Sequence, residues 1–215
     1  MNDSVTLTEL QLDALTELVN LGVSSAATNL SELVREEVVL SVPQAVVVTR
    51  EQAIANLREH DAKRLVGIHQ DFEGDIRGRA LLIFPEARSM ELIRALVGVE
   101  LSLDDIIELE QEALAETGNI LLNGCLSTMA NSLQRSLKIS LPEVIHGEGS
   151  DFFRHHSAAH ERVLFIYINF LVKQRDIQGF LAMILDLPSL VMLQKLLDAY
   201  IERSTGQSAA ANDVE

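Results

Sequence analysis

The sequence is poor in cysteine and in basic side chains, and both shortages narrow the kind of protein it can encode. Cys125 is the only cysteine, so no internal disulfide can form and a reducing cytoplasm is the expected location. The 17 lysines and arginines are outnumbered by 32 acidic residues, which gives a net charge of −15. Nucleic acids and anionic membrane surfaces both attract clustered basic side chains. We therefore expect neither as a partner, whereas a protein with a basic rim would be attracted.

Patterns typical of membrane, secreted and several catalytic proteins are also missing. No run of 18 apolar residues and no signal-peptide pattern occurs, so we expect neither a membrane span nor secretion. The glycines are scattered and include no GxxxxGK(S/T) phosphate loop. Cys125 follows Gly124 at the start of an apolar segment, and we interpret it as a small core residue, not as a nucleophile.

A histidine cluster in a polar segment raises the question of a metal site. His155, His156 and His160 form an HHxxxH pattern with Asp151 and Glu161 nearby. Neither a CxxC nor an HExxH frame accompanies it, and polar loops contain such runs by chance. We therefore predict no metal site in this chain.

One four-position pattern occurs twice and organises the rest of the chain. Its members are Asp13, Glu17, Asn20 and Pro43 in the first copy, and Glu112, Glu116, Asn119 and Pro142 in the second. In both copies 22 residues separate the asparagine from the proline. On a helix the three polar positions lie within about 60° of one another, opposite an apolar arc. Each copy therefore predicts an amphipathic helix that presents an acid, a glutamate and an amide to solvent.

A solvated helix face is the simplest explanation of either copy alone. Asn20 could then be a C-terminal helix residue ahead of Gly22. The identical spacing of the two copies argues against this explanation. Asparagine is also a weak helix former, and Asn119 follows Gly118 inside its predicted helix, where no cap explains it. We therefore interpret the pattern as functional. No Ser–His or Cys–His pair accompanies it that would support covalent catalysis.

At these residues the chain resembles the CheC/CheX/FliY phosphatases of bacterial chemotaxis, whose signature is (D/S)-x3-E-x2-N-x22-P. CheC carries the signature twice, as this chain does. Glu112 departs from the pattern by one methylene, because the family has Asp or Ser there. Through the duplication described below, the resemblance covers roughly residues 8–203.

The resemblance implies a substrate and a role for each residue. Family members dephosphorylate the aspartyl-phosphate of the response regulator CheY, whose Mg²⁺ belongs to the regulator, so the chain would need no cofactor of its own. Asn20 and Asn119 would orient the attacking water, and Glu17 and Glu116 would pair with the regulator's lysine. Asp13 and Glu112 would be secondary partner contacts.

The proline positions and the alternative function follow from the same resemblance. Pro43 and Pro142 are expected to shape the strand behind each helix and not to touch substrate. The alternative is a binding module without catalysis, which would dock a CheD-like deamidase or a flagellar partner on the acidic surface.

The duplication extends beyond the motif. At an offset of 99, residues 9–20 and 108–119 are identical at six positions, namely Glu9/Glu108, Leu10/Leu109, Ala14/Ala113, Leu15/Leu114, Glu17/Glu116 and Asn20/Asn119. We predict one α+β domain over residues 8–203, with repeats at about 8–100 and 107–203. Its sheet should be mostly antiparallel, with the two motif helices side by side on one surface. Residues 204–215 are predicted to be a disordered tail.

Local patterns predict the individual elements. A Thr8–Gln11 capping box starts a first helix that ends near Leu21, and a second helix follows Gly22 over residues 24–35. Pro43 should mark a bulge or an edge position in the strand run 38–49. The remaining predictions are a short helix at 51–60, a hairpin of 64–71 and 75–84 joined at Glu73–Gly74, a helix from Pro85 to 97, strands at 162–172 and 178–186, and a helix at 188–202.

Overall fold

The computed structural model describes residues 6–34, 37–59, 64–97, 103–153, 162–172 and 175–212. The helices are α1 (Glu9–Val34), α2 (Arg50–Glu59), α3 (Glu86–Val97), α4 (Leu103–Ser132) and α5 (Leu187–Asn212). The strands are β1 (Val38–Val48), β2 (Leu65–Gly74), β3 (Gly78–Pro85), β4 (Leu137–Ile139), β5 (Glu143–Gly147), β6 (Arg162–Val172) and β7 (Arg175–Leu185). A 3-10 turn at Asp151–Phe153 follows β5, where the first half of the chain has α2.

The strands form a single antiparallel sheet in the order β1-β6-β7-β3-β2, with β4 and β5 both paired to β2. β1 comes from the first half of the chain but pairs with β6 of the second half. In the same way, β4 and β5 of the second half pair with β2 of the first. Each half therefore supplies strands that the other needs. The predicted α+β fold with an antiparallel sheet of two related halves is confirmed.

Apolar side chains cover both faces of the sheet. Helices α1, α3, α4 and α5 contribute to the larger core on one face, so both halves share one helical layer. On the opposite face, Leu57 of α2 and Phe152 and Phe153 of the 3-10 turn pack with Phe165 and Phe180 of the sheet. The sequence did not predict this second covered face. Within the described residues, no helix is both long enough and apolar enough to cross a membrane.

Helix α1 is continuous from Glu9 to Val34, so the predicted break at Gly22 is wrong. Its predicted start is confirmed, because Thr8 and Gln11 exchange the two hydrogen bonds of a capping box. Gly22 is buried at the contact between α1 and α4. A Cβ atom there would lie 2.6 Å from the Cα atom of Cys125. The glycine therefore permits a close helix contact and does not end the helix, and Asn20 lies mid-helix.

The strand around Pro43 contains the predicted irregularity. The pairing of β1 with β6 shifts register between Ser41 and Gln44, so three steps along β1 match two along β6. This bulge lies on a strand at the end of the sheet order, where proline's missing N–H is tolerated. The expectation of a bulge or an edge position is confirmed.

The β2–β3 hairpin turns later than predicted. Glu73 and Gly74 belong to β2, and the connection is formed by residues 75–77. The reason is non-local, because Glu73 and Gly74 pair with β4. A Cβ atom at Gly74 would lie 2.5 Å from the carbonyl oxygen of Ser136, so this glycine serves the approach of β4 and not the turn.

Helix α5 continues through Asn212, whereas the composition of residues 204–215 predicted a disordered tail. Arg203 of this helix donates to the carbonyl oxygen of Ser132 at the end of α4. The hydroxyls of Ser204 and Thr205 bond to carbonyls one turn earlier, which accommodates polar residues in a helix. Residues 213–215 lie outside the described residues.

Cys125 should be unreactive in the folded protein. It is fully buried at the α1–α4 contact, and burial raises the pKa of its thiol to about 12. Because the thiolate is the reactive form, we expect no labelling by iodoacetamide of the native protein at about pH 8, and complete single labelling in denaturant. Mass spectrometry of both samples measures this. Rapid labelling of the native protein would contradict the buried position.

Candidate functional site

The first motif, Asp13, Glu17 and Asn20, lies along the outer face of α1. Asp13 and Glu17 are exposed and Asn20 is half-buried. The opposite face buries Leu15 and Leu18 completely. The amphipathic pattern therefore fixes which side of α1 faces the core, and the three polar side chains are left at the boundary with solvent.

The second motif, Glu112, Glu116 and Asn119, has the same placement on α4. Both glutamates are exposed and Asn119 is half-buried. α1 and α4 pack directly against each other through Gly22 and the segment at Cys125. The two motif helices thus lie side by side in one layer, as predicted, and neither motif asparagine is sealed in the interior.

The amide of Asn119 belongs to a small side-chain network. Asn123, one turn later on α4, donates from Nδ2 to Asn119 Oδ1 at 2.6 Å. Gln70 Nε2 lies 3.5 Å from the same oxygen and donates to the carbonyl oxygen of Ser140 at 2.9 Å. The oxygen end of the Asn119 amide is therefore held by α4 and the sheet. Its Nδ2 group has no hydrogen-bond partner among the described residues.

The amide of Asn20 makes no comparable contacts. Within the described ranges, its side chain has no hydrogen-bond partner. Ser24, the residue one turn later, is exposed. Both ends of this amide are therefore available to another molecule, whereas only the Nδ2 end of Asn119 is.

The glutamates of both motifs are also available to pair with another molecule. Neither Glu17 nor Glu116 forms an ion pair with any described residue. On a convex helix, such carboxylates are placed to meet a cation from another protein. The described residues contain no group of three or more His, Cys, Asp or Glu side chains that could hold a metal ion. His155, His156 and His160 lie outside the described residues.

The motif prolines lie in or beside the strands that follow each motif helix. Pro43 is part of the β1 bulge. Pro142 lies in the break between β4 and β5, just after Ser140, whose carbonyl receives the Gln70 amide. Both prolines therefore lie at irregularities of the strand backbone and not on the motif helices.

Apolar residues flank the first motif, and the sequence reasoning missed them as site residues. Leu10 is 60% exposed and Leu21 is 46% exposed. Helical periodicity places both on the same side of α1 as Glu17, because they lie seven residues before it and four after it. Leu109 and Ile120 occupy the corresponding positions on α4, with Leu109 also exposed.

Gln70 and Asn123 were also missed. Asn123 could have been found, since it lies four residues after Asn119 on the same helix face. Gln70 is a polar residue within the apolar start of β2 and is fully buried. A buried amide in a core strand indicates a specific partner, but the strand alone does not indicate which one.

The fold is shared with a protein of known structure, Thermotoga maritima FliY. The X-ray crystal structure of Thermotoga maritima FliY superposes with a TM-score of 0.70 at 15% identity, covering 91% of this chain and 100% of that chain. A likeness at this identity concerns the fold alone.

Sequence comparison gives matches within one group of chemotaxis proteins. The model of the chemotaxis phosphatase CheX matches residues 66–167, and the model of the CheC-like family matches residues 10–47. The putative CheY-P phosphatase CheC1 of Halobacterium salinarum is 27% identical over 146 residues, which cover 67% of this chain and 73% of that protein. The CheY-P phosphatase CheC of Bacillus subtilis is 29% identical over 139 residues, which cover 63% of this chain and 66% of that protein. By these matches the chain is similar to the CheC and CheX chemotaxis phosphatases.

Proposed function

We propose that this protein hydrolyses the aspartyl-phosphate of a phosphorylated CheY-like response regulator and that each motif forms one active site. One observation carries the proposal: two convex helix faces each present a half-buried asparagine amide and a glutamate that pairs with no described residue. Two curated relatives bear the name CheY-P phosphatase. A convex site of this kind cannot enclose a small substrate, so its substrate must supply the surrounding pocket.

The amides of Asn20 and Asn119 orient the water that attacks phosphorus. Phosphoryl transfer passes through a loose transition state, in which positioning and charge neutralisation contribute more than a general base. A neutral amide can hold the water without repelling the phosphoryl oxygens, which a carboxylate would do. Each amide is half-buried, so one side of it remains open to solvent, where another molecule can contact it.

Glu17 and Glu116 anchor the regulator. Each lies one turn before its asparagine on an exposed face, so a lysine of the regulator that pairs with the glutamate brings the amide into register with the phosphorylated aspartate. The net charge of −15 favours a partner with a basic rim and steers its approach. Asp13 and Glu112 add further negative charge one turn earlier.

The exposed leucines provide the apolar part of the same contact. Leu10 and Leu21 flank Glu17 on α1, and Leu109 and Ile120 flank Glu116 on α4. A polar centre between apolar anchors is typical of a protein interface that excludes water. The Mg²⁺ that this hydrolysis uses is bound by the regulator, where it neutralises phosphoryl charge.

The direct test is a phosphate-release assay on a panel of phosphorylated response regulators from the same organism. We expect the wild-type protein to accelerate loss of phosphate from a cognate regulator. Binding to a regulator without faster decay would reject the phosphatase proposal in favour of a docking module, and unchanged decay of every regulator would remove its support altogether.

Neutralising both glutamates should weaken binding more than chemistry. In Glu17→Gln/Glu116→Gln the anchor for the regulator's lysine is lost while both amides remain, so KM should rise about tenfold with little change in kcat. Steady-state kinetics against the cognate regulator measure both constants. The control is Glu9→Gln/Glu110→Gln, which removes the same charge from the same helices outside the motifs. A fall in kcat alone would contradict the anchoring role.

A further inference from the structure

We propose that the two active sites are unequal, because Gln70 and Asn123 position the catalytic amide of Asn119 and the first site has no such support. This inference rests on the proposed function and concerns how one of its two sites is built. It is carried by three positions that differ between the halves of the chain.

The first difference lies on the helices. Asn123 donates to Asn119 at 2.6 Å, whereas the residue at the same distance after Asn20 is Ser24, which makes no contact with Asn20 among the described residues. A hydrogen bond between residues four apart fixes the side-chain torsions of Asn119 on the helix surface. Among the described residues, no hydrogen bond restrains the corresponding torsions of Asn20.

The second difference lies in the strands. Ser41 of β1 lies opposite Asn169 of β6 in the strand register, and the backbone N–H of Ser140 donates to the carbonyl oxygen of Asp71 of β2. Asp71 therefore corresponds to Asn169, and the preceding residues, Gln70 and Ile168, correspond to each other. Both are buried. The second half thus has a buried amide where the first half has an apolar side chain.

The third difference explains how Gln70 reaches α4. A Cβ atom at Gly118 would lie 2.8 Å from the Cβ atom of Ile68, so this glycine lets α4 approach β2 closely. Ile68 and Gln70 are two residues apart and share one face of the strand. The position that corresponds to Gly118 in the first half is Val19, whose side chain does not permit such an approach.

Gln70 also carries an energetic signature of a functional residue. Its Oε1 atom is buried and has no hydrogen-bond partner among the described residues. A buried polar atom without a partner destabilises the folded state, and an apolar residue, as at Ile168, would avoid this. The position of Gln70 against Asn119 Oδ1 and the Ser140 carbonyl provides the reason for its presence.

The network determines which atom of the Asn119 amide faces outward to bind the attacking water in the second site. Both neighbouring amides direct N–H groups at Asn119 Oδ1, so Nδ2 is the end that faces outward. An N–H donor can bind one lone pair of the attacking water and leave the other directed at phosphorus. Preorganisation of this kind lowers the reorganisation needed at each turnover.

The test uses Gln70→Met in an Asn20→Ala background, where only the second site operates. Methionine keeps the length of the side chain and removes both the donor and the unpartnered oxygen. We expect kcat to fall about 3- to 10-fold, the range of one lost hydrogen bond, with KM unchanged. The melting temperature should stay equal or rise. Ile168→Met in the same background is the matched control and should leave kcat unchanged.

A second readout does not depend on activity. In NMR relaxation of side-chain NH₂ groups, Asn119 should give a higher order parameter than Asn20 in the wild type, and Gln70→Met should lower the value for Asn119. Equal order parameters for the two asparagines, or an unchanged kcat in Gln70→Met, would overturn the inference. Failure of the proposed function itself is distinct, since the wild-type protein would then not accelerate phosphate release at all.

Discussion

Replacing both motif asparagines, in Asn20→Ala/Asn119→Ala, should reduce phosphate release from the cognate regulator by about 100-fold or more. The magnitude follows from other sites where one preorganised donor is removed from a transition state. Because the regulator keeps its own Mg²⁺ and phosphorylated aspartate, decay should return to the regulator's intrinsic rate. Single-turnover assays with the phosphorylated regulator measure this directly.

Two controls define the result. Asn29→Ala/Asn131→Ala removes one exposed asparagine from each motif helix outside the motifs and should leave the rate unchanged. The motif double variant should still bind the regulator, because Glu17, Glu116 and the flanking leucines remain. Wild-type activity in the motif double variant would exclude both amides from the chemistry, and the two-site proposal would have to be abandoned.

The helices that carry the motifs could be predicted because their signals are local. The apolar arc of α1 specifies the buried side within a few turns, and the Thr8–Gln11 box specifies its start. The bulge at Pro43 follows from proline's missing N–H. The duplicated spacing from Asn20 to Pro43 and from Asn119 to Pro142 predicted a functional face, which in the structure lies at the boundary with solvent.

What could not be predicted depends on contacts between distant parts of the chain. The local sequence at Gly22 predicts a helix end. In the structure this glycine permits a close contact with Cys125, which is far away in the sequence. In the sequence, Gln70 is only a polar residue within an apolar strand. The folded structure shows that it contacts Asn119. In each case the role of the residue depends on a contact with a distant residue, which sequence periodicity does not predict.

The exchange of strands between the halves was hidden for the same reason. The sequence predicted two halves with the same order of elements, and nothing in either half indicates that β1 pairs with β6 while β4 and β5 pair with β2. This exchange places each motif helix over a sheet built from both halves. The differences at Gly118 and Gln70 become visible only in that arrangement.

Substituting alanine for Gly22 should destabilise the protein by about 2–3 kcal/mol, although alanine is the better helix former. In an open helix, Gly→Ala stabilises by up to about 1 kcal/mol. Here the new Cβ atom would lie 2.6 Å from Cys125 Cα and 3.2 Å from the carbonyl oxygen of Gly124. Both are backbone atoms of α4, so relief requires the two helices to move apart and lose core packing. Urea denaturation measures the change in the free energy of unfolding.

Gly206→Ala is the matched control, because Gly206 is also helical and a Cβ atom there would meet nothing within 4 Å. It should leave stability unchanged or raise it. Opposite effects of the same substitution at Gly22 and Gly206 would show that backbone contact, and not helix propensity, selects glycine in α1. A Gly22→Ala variant as stable as the wild type would mean that α1 and α4 do not approach so closely. The fixed placement of the two motifs relative to each other would then lose its physical basis.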